Sequence, residues 1–389
     1  MNSNAIAAKK KVDSAFMKKG VFIAIMSGVT YGLYTGFLTL GMARGIWGAD
    51  WYGANTSGLS VFAITYVLAA LGSGVNDTIS GIWMLIKCGI MGELGDWVRC
   101  LKTKPGVVMI ICALIGGPIA STCYVAALQM AGTIIVPFAA LNAAIGAIIG
   151  GPIASTAYVA ALQLAGSIIV PFAALNATIG AIIGRIVFKQ KLTPVMIGGI
   201  IVCLICATVI GGTSFDGFGG TTMIGILLAL VCALGWGIEG AVAGFGTTLI
   251  EYNIGITIRQ VTSGIGNMLI VLPLLCLIDG NGVNPFGLLA TAFTDSSVIF
   301  FVISGLFAGL SFGFWYKGAS MCGAALGMTC NGSYAFWAPF FTWVCCGVLG
   351  GMEGYALSAI QWIFAAIMII GIAMVGDINP LSVFKKKEA

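Results

Sequence analysis

Gly117–Gly150, GPIASTCYVAALQMAGTIIVPFAALNAAIGAIIG, is followed immediately by Gly151–Gly184, GPIASTAYVAALQLAGSIIVPFAALNATIGAIIG. The two 34-residue copies differ only at Cys123/Ala157, Met130/Leu164, Thr133/Ser167 and Ala144/Thr178, each an exchange of similar size. They occupy most of Pro105–Gly184, a stretch without one Asp, Glu, Lys or Arg. Soluble domains carry about 25% charged residues, and about 20 apolar residues in helical form cross about 30 Å of hydrocarbon. The stretch therefore reads as membrane-embedded, and the duplication as an in-frame copy of two crossings or of a re-entrant pair.

The rest of the chain agrees. Of 389 residues 59% are hydrophobic and 8% charged, with a mean hydropathy of +1.06. Strands of a membrane barrel would show short alternating segments instead. The fold class is an all-α polytopic membrane protein. Hydrophobic helices are expected at 20–44, 57–91, 106–132, 133–149, 150–166, 167–187, 194–212, 222–246, 254–278, 296–320, 325–349 and 355–376, about twelve in all. The second is too long for one crossing, and Gly72, Gly74, Asn76 and Asp77 near its middle predict a kink or an interfacial extension. The first follows Lys9, Lys10, Lys11, Lys18 and Lys19 and is too long for a signal-peptide core, so it reads as uncleaved.

Basic residues set the expected orientation. With the N-terminus in the cytoplasm, and Lys87, Arg259 and Lys317 left out because they lie within helical spans, the N-terminal lysines, Arg99, Lys102, Lys104, Arg185, Lys189, Lys191, Lys385, Lys386 and Lys387 all fall inside, and only Arg44 falls outside. Residues 1-19 and 378-389 are then cytoplasmic tails of a plasma (inner) membrane protein. The net charge of +5 belongs to these loops and tails and implies no nucleic-acid partner.

A second, deeper repeat is present. Gly20-x3-Ala24-x6-Tyr31-Gly32-x-Tyr34 aligns with Gly225-x3-Ala229-x6-Trp236-Gly237-x-Glu239 at a constant offset. Gly117-x6-Tyr124 recurs as Gly151-x6-Tyr158 and Gly309-x6-Tyr316. With one 34-residue copy removed, each half holds five helices. An odd number makes the halves insert with opposite orientation, an architecture of secondary transporters with the site near the midplane.

Ala139–Gly150, its copy Ala173–Gly184 and the continuation Arg185-Ile-Val-Phe-Lys-Gln-Lys-Leu-Thr-Pro194 resemble the fourth helix, short basic loop and fifth-helix start of the drug/metabolite transporter (DMT) superfamily, EamA type. Tyr31-Gly32 and Trp236-Gly237 are similar to its aromatic-glycine pattern. The resemblance implies two inverted five-helix repeats, here 20-212 with the tandem copies 117-150 and 151-184, and 222-377. It further implies alternating access, often with proton or exchange coupling. Two features depart from the family: Lys189-Gln190-Lys191 where an acidic residue is common, and the extra copy, which leaves open which unit fills the third and fourth helix positions.

Candidate site residues follow from the cost of polar groups at membrane depth. Glu239, mid-helix in Leu-Gly-Trp-Gly-Ile-Glu-Gly-Ala, is either a proton- or cation-handling carboxylate or the partner of Arg259 on the next helix. Asp77 either faces a cavity exposed by broken helix or satisfies loose amides at the kink. Tyr31, Tyr34, Trp236, Trp315, Tyr316, Tyr334 and Trp337 either line a pocket or pack. Tyr124, Asn267 and Asn331 complete the substrate-binding or coupling set, while Lys317 sits near a helix end where it can snorkel. Gln129, Asn142, Gln163 and Asn176 are the polar residues of the duplicated unit.

Enzyme chemistry finds no footing. The chain has no histidine, so no serine or cysteine has a His base, and it has no P-loop, HExxH or GxSxG motif. Cys203 and Cys206 form a CxxC inside an apolar helix and read as small hydrophobes. No cofactor, metal or catalytic residue is expected. The partners are the lipid bilayer, a small-molecule solute and protons as a coupling ion, with a homodimer left open. The reading is a secondary active transporter of a small organic metabolite (amino-acid, amine or drug-like). The alternative is a non-transporting scaffold or receptor-like protein whose cavity the duplication disrupts.

Overall fold

In a computed structural model of the chain, the structure describes residues 3–44, 59–60, 62–116, 193–212, 249–322, 330–331, 333–353 and 358–375. The duplicated unit 117–184, and with it Tyr124, Gln129, Asn142, Gln163 and Asn176, lies outside them, as do Trp236 and Glu239. The described residues are helical throughout, with no strand among them. The helices are α1 (Ser3–Met42), α2 (Leu68–Ile90), α3 (Leu94–Cys100), α4 (Lys104–Gly116), α5 (Pro194–Gly212), α6 (Tyr252–Gly266), α7 (Leu272–Asp279), α8 (Pro285–Thr294), α9 (Val298–Cys322), α10 (Tyr334–Thr342) and α11 (Ala359–Val375). Three π-helical segments, Ala63–Val67, Asn267–Val271 and Trp343–Leu349, join or extend them.

Most elements coincide with the apolar runs of the sequence; four details differ. The basic segment before Gly20 is helical as well, because α1 starts at Ser3. Gly72, Gly74, Asn76 and Asp77 sit in continuous α-helix, and the irregular turn lies earlier, at Ala63–Val67. The short helices α3 and α8 occupy stretches without an expected element. Asn284 caps α8 by accepting from Phe286 N–H at 3.1 Å and Gly287 N–H at 3.2 Å, with Pro285 at the first helical position, the arrangement a missing N-terminal donor favours. On α9, Gly318 packs against Ala24 of α1, so a Cβ there would lie 2.7 Å from the Ala24 Cβ.

The surface is strongly apolar, and the core holds polar side chains among its hydrophobic ones. Ile82, Ile86 and Ile90 on α2, Ile197, Ile201 and Ile205 on α5, and Ile360, Ile363, Ile367 and Ile370 on α11 are exposed. Ser27, Thr35, Ser73, Asn76, Asp77, Ser80, Gln260, Ser263, Asn267, Ser304 and Ser311 are buried. Such a surface suits lipid tails and such a core suits interhelical hydrogen bonds. Among the described residues, three helical stretches are long and apolar enough to cross a membrane: Ala15–Met42, Tyr252–Asp279 and Val298–Cys322. The architecture is all-helical and compatible with membrane embedding.

α1 packs along α9 in antiparallel sense, with Gly41 against Phe300 and Phe301 at one end and Gly20 against Met321 at the other. α1 also packs on α10, where Gly32 lets the Trp337 backbone approach: a Cβ at Gly32 would lie 2.7 Å from the Trp337 carbonyl oxygen. α2 packs on α6 and on α9, α6 on α4, and α5 on α11. Where α1, α2, α6 and α9 meet, the core is polar.

Candidate functional site

One face of α2 carries Ser73, Asn76, Asp77 and Ser80; one face of α6 carries Arg259, Gln260 and Ser263, with Asn267 opening the π-helical turn beyond. These spacings of three and four place each set in a single stripe. The stripes meet in antiparallel register. Ser263 Oγ donates to Asp77 Oδ2 at 2.5 Å, and Asn267 Nδ2 reaches the same oxygen at 3.4 Å and Ser73 Oγ at 3.0 Å. Asn76 Nδ2 lies 3.3 Å from Asp77 Oδ1. Gln260 Nε2 donates to Ser80 Oγ, and Arg259 donates to Gln260 Oε1. α9 closes the network through Ser304, whose Oγ lies 2.7 Å from Asn76 Oδ1 and 3.2 Å from the Tyr34 carbonyl oxygen.

Gly264 makes this contact close. A Cβ there would stand 2.7 Å from Thr78 Cα and 2.8 Å from Thr78 N. Hydroxyls and amides on short side chains then reach across without extended linkers, as small-residue interfaces in membranes permit.

An aromatic group borders the charges. The Arg259 guanidinium lies 4.1 Å from the centre of the Phe312 ring. Tyr31 stacks on Tyr334 with centroids 4.1 Å apart and meets Tyr34 edge-on at 5.1 Å and Phe312 at 6.3 Å. Tyr34 is within electrostatic reach of both Asp77 and Arg259. On the flank beyond Tyr31, Ser27 donates to Asn331 Oδ1, and Ser311 Oγ donates to the Ser27 carbonyl oxygen at 2.9 Å.

Both charged residues are buried, Asp77 to 3% and Arg259 to 4% exposure. Moving an ion out of water costs several kcal/mol even after relaxation, so each must be repaid by fixed dipoles. For Asp77 these include the Ser263 hydroxyl and the Asn267 and Asn76 amides. For Arg259 they include the Gln260 carbonyl and the negative face of Phe312. The arrangement provides an oxygen that can accept a proton, a planar donor fork matched to a carboxylate, and ring faces for stacking.

The structure thus joins Asp77, Arg259, Asn267, Tyr31 and Tyr34 in one region, with Asn331 beside it. Tyr316 lies apart in an apolar cluster with Met84, Met109, Ile254, Ile256 and Ile258. Lys317 and Lys87 both face the Tyr252 ring, with ammonium groups 5.3 and 5.7 Å from its centre. The sequence reading passed over Gln260, Ser263, Ser73, Ser80, Ser304 and Phe312. Helical spacing relative to Asp77 and Arg259 was the signal that marks the first four.

No protein-family profile matches the sequence, and no curated protein matches it. A solved structure described only as a crystal structure of a protein superposes with a TM-score of 0.55 at 17% identity, covering 94% of this chain and 99% of its own. At that identity the likeness concerns the fold alone.

Proposed function

We propose that the chain is a secondary active transporter of a small organic metabolite, built on the ten-helix DMT plan with an added two-helix unit and working by alternating access in the inner membrane, both termini in the cytoplasm. The observation that carries this reading is the buried network joining α2 to α6 and α9, with Asp77 and Arg259 at its heart and apolar side chains turned outward. Ionisable residues at membrane depth mark solute or ion pathways. The inverted repeat draws support from pairing of equivalent helices. α2 and the α6–α7 span, second in each half, pack together and each carries a π-helical turn, while α5 and α11, last in each half, pack on one another.

A carboxylate and a guanidinium beside aromatic faces suit a zwitterionic or amine-bearing solute, with Asp77 as proton acceptor and Arg259 donating hydrogen bonds to the solute's carboxylate. Glu239 retains its proposed coupling role. The test is a thermal-shift screen of purified protein against amino acids, amines, nucleosides and sugars at two pH values, followed by flux in proteoliposomes. A ligand at about 100 times its Kd adds roughly 2.7 kcal/mol of apparent stability. A hit weakened about tenfold in Arg259→Lys and a pH-driven flux lost in Asp77→Asn are expected. No shift and no flux from a cooperatively melting sample would refute transport and favour a scaffold.

A further inference from the structure

A cavity of about 540 Å³ lies at the end of the bundle where α1 finishes and α9 begins. Its walls include Phe37, Leu40, Phe300 and Leu349, and its polar lining includes Arg44 and Ser297. Ser297 stands about two helical turns along the chain from Ser304, so the cavity is separate from the Asp77–Arg259 network. The volume falls in the range of small-molecule pockets.

Two observations about the polar lining point to a ligand-binding role. Ser297 is 3% exposed, and its Oγ has no hydrogen-bond partner among the described residues. The backbone at the same turn is settled, because Ser297 N–H donates to Asp295 Oδ1 at 2.8 Å and Phe300 N–H to the Ser297 carbonyl at 3.0 Å. The hydroxyl alone is left over, where a buried polar atom is costly. Arg44, across the cavity, is anchored by a 2.6 Å bond to the Gly350 carbonyl oxygen. That bond uses one of five guanidinium donors, and among the described residues no carboxylate lies within 4 Å of Arg44.

Charge selects the ligand. Arg44 is the charged residue of the lining, and Ser296 and Ser297 stand at the positive end of the 25-residue helix α9, which favours an anion. Asp295 is occupied in capping and does not belong to the lining. The apolar walls select a hydrocarbon or ring attached to that anion. We propose that this cavity is a second ligand site, taking a small amphipathic carboxylate. Its carboxylate meets the Arg44 fork and the Ser297 hydroxyl, and its tail lies among Phe37, Leu40, Phe300 and Leu349.

The test is calorimetric titration of the full chain, in nanodiscs of zwitterionic lipid, with hexanoate, hexanol and hexylammonium. Hexanoate should bind, hexanol should bind at least tenfold more weakly, and hexylammonium should not bind. Ser297→Ala should raise the hexanoate Kd about tenfold, and Arg44→Gln by more. Because the Ser297 hydroxyl makes no bond in the free protein, Ser297→Ala leaves the fold intact, and a cooperative melt checks this. A parallel titration in nanodiscs containing anionic lipid separates two sources of the same chemistry. Hexanoate affinity falling with anionic-lipid content assigns the site to a lipid headgroup, whereas unchanged affinity assigns it to a free acid. No hexanoate binding in zwitterionic lipid, equal binding of hexanol, or a Kd unmoved by both substitutions would overturn the proposal.

Discussion

Gly264→Ala adds one methyl group where α6 touches α2, and the structure sets its cost. The new Cβ would lie 2.7 Å from Thr78 Cα and 2.8 Å from Thr78 N. Carbon atoms rest at about 3.5–4.0 Å, and Thr78 offers backbone, so the helices must separate by about 1 Å. Overpacking of this kind costs about 1–3 kcal/mol. The same separation stretches the bonds on either side of Gly264. Asn267 Nδ2 to Ser73 Oγ starts at 3.0 Å and Asn267 Nδ2 to Asp77 Oδ2 at 3.4 Å, so both leave hydrogen-bonding range. Interhelical bonds in membranes are worth about 0.6 kcal/mol each. The higher helix propensity of alanine returns up to about 1 kcal/mol, leaving a net destabilisation of about 1–3 kcal/mol. Gly95→Ala provides the comparison, since nothing lies within 4 Å of a Cβ there and the same propensity term should make it neutral or stabilising. Thermal unfolding followed by tryptophan fluorescence in detergent reads both. A Gly264→Ala protein as stable as the parent, or both substitutions moving the midpoint alike, would refute the account of the α2–α6 contact.

Three other outcomes are expected. Asp77→Asn turns one acceptor oxygen into a donor facing donors from Ser263 and Asn267 or from Asn76; a loss of about 1–3 kcal/mol in the same melt is expected, and an unchanged midpoint would show that the network does not depend on the carboxylate. Arg259→Lys keeps the charge but loses the planar group over Phe312 and the fork, and should weaken solute binding about tenfold by thermal-shift titration with little change in the unliganded melt. Glu251 caps α6, accepting from Asn253 N–H at 2.7 Å and Ile254 N–H at 3.2 Å. Burial lifts its carboxyl above the usual range, with Glu93 adding to the rise and the two N–H groups and Lys87 opposing it. The folded chain therefore holds that proton more tightly than the unfolded chain. Its contribution is complete below the ordinary glutamate value of about 4.3 and declines as pH rises through the raised folded value. Glu251→Gln, which keeps an acceptor for the cap, should flatten that part of the stability–pH curve.

Hydropathy made the long described helices legible because each carries a long apolar run: 194–212 matches α5 in both bounds, and 254–278 and 296–320 fall within three residues of the spans Tyr252–Asp279 and Val298–Cys322. The chain also showed Asp77, Arg259 and Asn267 as anomalies in apolar surroundings. It did not show that they meet, because that depends on the antiparallel register of α2 on α6, which Gly264 and Thr78 set by contact. Glycines around Asp77 suggested a broken helix; in the structure Gly74 instead faces Asn267 and Met268 at close range, so its smallness serves packing. Short helices such as α3 escape hydropathy because seven residues with Asp96 and Arg99 carry too little apolar signal.

The α2–α6 seam has a further property. Its hydrogen-bonding residues recur once per turn on both helices, at 73, 76–77 and 80 on one and at 260, 263 and 267 on the other. All three interhelical pairs, 73 with 267, 77 with 263 and 80 with 260, are matched in one register. A slide of one turn, about 5.4 Å, would leave Asn267, or Ser73 and Gln260, opposite apolar residues and would bring a larger side chain to the Thr78 backbone in place of Gly264. The seam therefore works as a key as well as a glue: the polar pairs and the glycine contact select the same alignment.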